Sequence, residues 1–103
     1  MKIISWNVNG IRAVSKKGFL DWLSRESPDI LCLQEIKAHL SQIPAEILAF
    51  SGYTSYWNPA VRPGYSGVGT LTRVKPTAVK KGIGVGSFDC EGRVLETEFS
   101  DFT

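Results

Sequence analysis

Long hydrophobic runs are missing from this sequence. No stretch approaches the roughly 18 apolar residues that a membrane span needs, so no membrane partner is expected. Lys2 is not followed by an apolar segment and a small-residue cleavage site, so secretion is not expected either. Cysteine is scarce: Cys32 lies in the apolar run ILCL and Cys90 in the polar stretch FDCEG, with nothing local to pair them, which suits a reducing compartment. Histidine is scarcer still, and the lone His39 reads as a solvent-facing loop residue rather than a ligand. The formal net charge of +2 is too small to argue for a polyanionic partner by itself, because an electrostatic footprint is a clustered patch and not a sum. There is no Walker sequence, GIGVG lacks the spacing of a dinucleotide loop, and GYSGVG lacks the glycine two places after serine that a nucleophile elbow requires. No low-complexity tract interrupts the chain.

What is present is an ordinary packed composition, 43% hydrophobic and 21% charged over 103 residues, enough for one domain at most. KIISWNV predicts a short buried strand, closed by a turn signal at Asn9 and Gly10. In SKKGFLDWLSRESPD, Phe19, Trp22 and Leu23 recur at helical spacing, Asp21 and Arg25 form an i, i+4 pair, and Pro28 marks the stop. DILCLQE is a near-continuous apolar run of strand length, which predicts burial on both faces and a parallel neighbour. Residues 41–50 predict a short helix with Pro44 near its start. From Tyr53 on, short β-rich pieces between Gly, Pro, Asn and Ser predict antiparallel strands. A βαβ opening followed by such strands places the chain in the α/β class, with a sheet of mixed strand directions.

Two parallel strands joined by a helix end on one edge, and ligands of α/β sheets bind at the carboxyl ends of strands. Asn7 and Glu35 are therefore expected to meet there. A carboxylate beside an amide oxygen is a hard oxygen pair, and Mg²⁺ is held by only one or two carboxylates with water and phosphate completing its shell. Glu35 would bind the metal while Asn7 orients a bound water or phosphate. On pattern alone a second reading stands equally: a surface acid at a strand end and a turn asparagine.

The segments ISWNVNGIRA, PDILCLQEIK, GYSGVGTLTR and EGRVLETEF resemble, in order and spacing, the opening of the exonuclease III family of apurinic/apyrimidinic endonucleases, within the endonuclease, exonuclease and phosphatase superfamily. The resemblance covers nearly the whole chain and implies the N-terminal part of a four-layered α/β sandwich. It implies Mg²⁺-dependent hydrolysis, with Mn²⁺ as an alternative, on the 5′ side of abasic sites in double-stranded DNA; related members also trim 3′ ends. Asn7 and Glu35 match the family's catalytic, metal-site asparagine and glutamate, and Asn9 a secondary polar position beside them. Arg12, Ala13 and Lys17 match a loop and helix start that touch the DNA backbone, and Gly64 and Tyr65 a loop near the minor groove. The implied location is the cytoplasm, with the nucleoid, or a eukaryotic nucleus.

Ile36 stands where the family usually has threonine, which predicts a changed environment for the metal ligand. The family's later motifs, a tyrosine in Y-x-P-N, the G-D-x-N pair and a late aspartate and histidine, are not among these residues. The chain is accordingly expected to lack the C-terminal half of the sandwich and to be inactive alone. Two other functions fit the same pattern: a phosphatase or phosphodiesterase acting on a lipid or inositol phosphate, and a noncatalytic DNA-binding module.

Overall fold

A computed structural model gives the architecture and describes residues 1–102. Along the chain run β1 (Ile3–Asn7), α1 (Ile11–Ser15), α2 (Phe19–Glu26), β2 (Ile30–Gln34), a 3₁₀ turn (Leu40–Gln42) and α3 (Ala45–Leu48). They are followed by β3 (Thr54–Asn58), β4 (Val68–Thr72), β5 (Ala78–Lys81), α4 (Gly86–Asp89) and β6 (Leu95–Glu98). The main sheet has the order β1-β2-β4-β3, with β1 and β2 parallel and the other two pairings antiparallel. β5 and β6 form a separate antiparallel pair. The mixed α/β sheet and the βαβ opening are those expected from the sequence.

Register divides the main sheet into two unlike faces. Ile4, Leu31 and Leu71 stand in one row and Trp6, Leu33, Gly69 and Trp57 in the next. This face packs against Ile11 of α1, Phe19 and Leu23 of α2, and Ile43 and Ile47 around α3. Burial of that apolar area is the main stabilising term, about 25 cal/mol per Å² removed from water. At Gly69 a side chain would run into the Trp57 ring, so glycine is what lets the indole lie flat on β4.

The opposite face carries Ser5, Cys32, Thr70 and Tyr56 in one row and Asn7, Gln34, Val68 and Asn58 in the next. The β5–β6 pair begins to cover it: Asn58 donates to the Val94 carbonyl at 2.7 Å, and Leu95 closes a cavity of about 170 Å³ over Cys32, Gln34 and Thr70. Burial pushes the Cys32 thiol above its ordinary pKa, against a smaller opposing effect of its hydrogen bond with Thr70. Cys32 therefore stays a thiol at neutral pH while Cys90 is exposed. Iodoacetamide at about pH 8 is expected to modify Cys90 well before Cys32, read by peptide mass spectrometry; equal labelling rates would contradict the burial.

Three local expectations change. β1 is an edge strand with alternating exposed and half-buried residues, and Ile3 is 54% exposed, because its apolar side chains outnumber the neighbours available at the sheet margin. The single helix expected after Ser15 begins at Phe19 and is preceded by α1; Gly10 (φ 103°) and Gly18 (φ 88°) start the two helices in conformations a β-carbon resists. α2 ends on left-handed Ser27 (φ 48°), whose N–H returns to the Leu23 carbonyl at 2.8 Å just before Pro28. The segment expected to be one helix at 41–50 is a 3₁₀ turn and a single α turn.

Candidate metal and phosphate site

The register puts Asn7 opposite Gln34, not Glu35, so in a regular strand Glu35 would point to the helix-covered face and away from Asn7. Glu35 instead adopts φ 51°, in the left-handed region. That extra turn lets Ile36 rather than Glu35 follow Leu33 into the core and returns the Glu35 carboxylate to Asn7. The kinked segment is held from both sides: the N–H groups of Gly10 and Ile11 donate to the carbonyls of Glu35 and Ile36, while those of Ile36 and Lys37 donate to Gly67 and Ser66. Asn9 (φ 46°), Lys37 (φ 52°) and Ser66 (φ 47°) are left-handed as well. Such backbone costs a non-glycine residue about 1 kcal/mol, and four instances at one spot mark a place where geometry is kept against local preference.

At the centre the Asn7 amide donates to Glu35 Oε2, and the Asn9 N–H donates to Asn7 Oδ1 at 3.0 Å. These bonds fix which end of the Asn7 amide faces the carboxylate. Lys37 Nζ donates to Asn9 Oδ1 and lies 3.8 Å from Glu35 Oε1. Both side chains of that ion pair are more than a third exposed, so it orients more than it stabilises. Arg12 Nη2 donates to the Lys37 carbonyl at 2.9 Å, tying α1 to the same rim. Glu35, Lys37, Tyr65, Ser66 and Arg93 line an open cleft of about 280 Å³.

Across the cleft Tyr65 has two guanidinium groups over its ring, with Arg62 Cζ 5.2 Å and Arg93 Cζ 5.6 Å from the ring centre. Arg93 donates to the Tyr65 hydroxyl at 2.8 Å and to Glu91 at 3.4 Å. The hydrogen bond to Tyr65, and after it that to Glu91, raises the Arg93 pKa further above its ordinary value, so the group carries its charge at any working pH.

The structure thus brings Asn7 and Glu35 together and sets Tyr65 at the cleft that Glu35 lines. Gly64 (φ 67°) is exposed in the loop before Tyr65 with open space at its α-carbon, and Ala13 is exposed on α1 beside Arg12. Lys17 lies apart, on a groove lined by Trp6, Phe19, Trp22 and Arg25. Ile36 is fully buried in the core, directly after Glu35 and against Gly67. His39 is half-buried with its backbone N–H bonded to Gln42, away from the cleft. Lys37 and Arg93 were not singled out by sequence reasoning, although both lie in quoted segments, at the end of PDILCLQEIK and within EGRV.

Among the described residues no three His, Cys, Asp or Glu side chains gather as a metal-holding group. A single carboxylate, held by the Asn7 NH₂ group, matches a cation that keeps most of its water, and so fits Mg²⁺ rather than Zn²⁺ or Ca²⁺. Glu35 Oε2 and Asn7 Oδ1 each accept one hydrogen bond and keep a further lone pair.

Residues 4–102 match the model of the endonuclease/exonuclease/phosphatase family. The chain is 49% identical over 104 residues to the DNA repair nuclease APEX1 of Danio rerio, covering 99% of this chain and 34% of that protein. It is 48% identical over 102 residues to the exodeoxyribonuclease of Bacillus subtilis, covering 98% and 39% respectively. Among solved structures it superposes on a 3′-5′ exonuclease from Neisseria meningitidis with a TM-score of 0.81 at 33% identity, over 97% of this chain and 38% of that one. The chain therefore spans between a third and two fifths of the length of these relatives.

Proposed function

The chain belongs to the endonuclease/exonuclease/phosphatase family, and on that premise we propose that it forms the metal- and phosphate-binding N-terminal part of a DNA-repair nuclease that cleaves the backbone 5′ to abasic sites. The observation that carries the reading is the Asn7–Glu35 hydrogen bond at a shared strand end, beside a cleft that Glu35 lines together with the cations Lys37 and Arg93. The names of the relatives, a DNA repair nuclease and an exodeoxyribonuclease, support DNA as the polymer.

In this reading Glu35 would hold Mg²⁺, with Asn7 beside it orienting a bound water or phosphate, and the ion when bound would supply stabilisation of charge developing on a phosphoryl oxygen. Asn7 fixes the Glu35 carboxylate through its NH₂ group. Lys37 and Arg93 neutralise phosphate charge, Arg12 extends the basic rim beside Lys37, and Lys17 offers a separate cation on the neighbouring groove for more distant backbone. Tyr65 offers a ring for packing against sugar or base beside the backbone of Gly64. Glu35, the one carboxylate among the described residues lining the cleft, serves the cation; no cleft residue is assigned as the base for water, and the chain by itself is expected to bind more readily than it cleaves. Trimming of 3′ ends is a second activity of the same site, favoured by the resemblance to an exodeoxyribonuclease and a 3′-5′ exonuclease. Such work places the protein with chromosomal DNA, in the cytoplasm around a nucleoid or in a nucleus.

The test is Mg²⁺-dependent nicking of a duplex with one abasic site by the product of the full reading frame that encodes this chain, with EDTA as control. Nicking 5′ to the site is expected. Phosphate release from an inositol phosphate, with the duplex left intact, would overturn the reading.

A further inference from the structure

Glu91 has no part in the metal site, yet it closes a ring of contacts at the opposite wall. The Tyr65 hydroxyl donates to Glu91 Oε2 at 3.1 Å, Arg93 Nε reaches Glu91 Oε1 at 3.4 Å, and Arg93 Nη2 reaches the Tyr65 hydroxyl at 2.8 Å. Two side chains thus depend on one carboxylate for their placement. The backbone beneath it is clamped. The Val61 N–H donates to the Cys90 carbonyl at 2.9 Å, and Gly92 (φ 60°) lies so close that a β-carbon would come within 2.5 Å of Ala60 N. The segment carrying Glu91 and the loop carrying Tyr65 are therefore braced against each other before any ligand arrives.

We propose that Glu91 is a positioning residue for nucleic-acid binding: it holds the Tyr65 ring and the Arg93 fork over the cleft, preorganised to receive a backbone phosphate beside the Glu35 site. The inference rests on the proposed nuclease reading of that site. Its physical content is a sign. An acidic residue on a rim that meets a polyanion should by simple Coulomb repulsion weaken binding, so removing its charge should tighten it. A carboxylate that holds the recognising groups in place has the opposite effect. With glutamine in its place one acceptor oxygen remains instead of two, so the Tyr65 hydroxyl and Arg93 can no longer both be held, and the long Arg93 side chain must be ordered at the moment of binding.

The experiment measures fluorescence anisotropy of a short labelled duplex against the product of the full reading frame, wild type and Glu91→Gln, over a series of salt concentrations. Glu91→Gln is expected to weaken binding about fivefold to tenfold, the worth of roughly one hydrogen bond. Its salt slope should also be shallower, as one ordered phosphate contact is lost. Tyr65→Phe should give part of the same loss, and the double variant should lose no more than Glu91→Gln alone, since the two groups act as one unit. Binding by Glu91→Gln that equals or exceeds wild type overturns the inference and leaves the nuclease reading standing; wild-type protein that ignores the duplex overturns both. If Glu91→Gln fails to fold by circular dichroism, Tyr65→Phe alone decides: unchanged affinity and slope overturn the inference.

Discussion

Glu35→Ala is expected to lower Mg²⁺-dependent nicking of an abasic duplex by about 10³-fold or more, equivalent to about 4 kcal/mol of transition-state stabilisation. The size follows from the composition of the site: with no third acidic or imidazole ligand among the described residues, nothing nearby replaces the lost carboxylate. The same substitution should remove the binding of Mn²⁺ followed by electron paramagnetic resonance. Folding should change little, because alanine at φ 51° is strained about as much as glutamate, and the lost bond to Asn7 is exposed. A variant that keeps nicking within tenfold of wild type would show that the cation is held elsewhere.

Gly92→Ala should be the most damaging glycine substitution around Tyr65. The new methyl would lie 2.5 Å from Ala60 N and 2.6 Å from the Pro59 carbonyl carbon, backbone atoms that cannot rotate aside, and φ 60° already disfavours alanine. About 1 kcal/mol for the left-handed backbone and about 1–3 kcal/mol for overpacking predict a loss near 3 kcal/mol. At about 2–4 °C per kcal/mol for a domain of about 150–250 residues, the melting temperature of the product of the full reading frame should fall by on the order of 10 °C. Gly64→Ala separates the two causes: its φ of 67° is similar, but nothing lies within 4 Å of the new methyl. It should cost only about 1 kcal/mol. Equal losses at the two positions in thermal melts would mean that the collision is relieved by movement of the 58–61 segment.

The legible parts of the fold were those with an apolar run, a helical spacing or a β-rich composition bounded by turn residues. ILCLQ has apolar residues at successive positions because it lies in the sheet interior, and TSYWN and VGTLT are β-rich pieces bounded by Gly, Pro and Asn, so β2, β3 and β4 could be placed from the sequence. α1 could not: five residues give barely one helical turn, too few for a period to show, and Gly10 before it reads as an ordinary turn residue. α4 fails for the same reason, with GIGVG just ahead of it. The partnership of Asn7 with Glu35 was legible from the βαβ geometry, but the left-handed turn at Glu35 that makes it possible was not, since glutamate carries no preference for that conformation. Lys37 and Arg93 reach the cleft only because two kinked backbones aim them there, which charge patterning along the chain does not record.

The four left-handed side-chain-bearing residues at the cleft, Asn9, Glu35, Lys37 and Ser66, set heat tolerance and ligand binding against each other. Screening a random library for survival at elevated temperature should enrich glycine at positions 37 and 66, each relieving up to about 1 kcal/mol of strain. The hardiest clones would then be among the weakest binders, because glycine at 37 deletes the cleft's lysine and glycine at 66 loosens the backbone next to Tyr65.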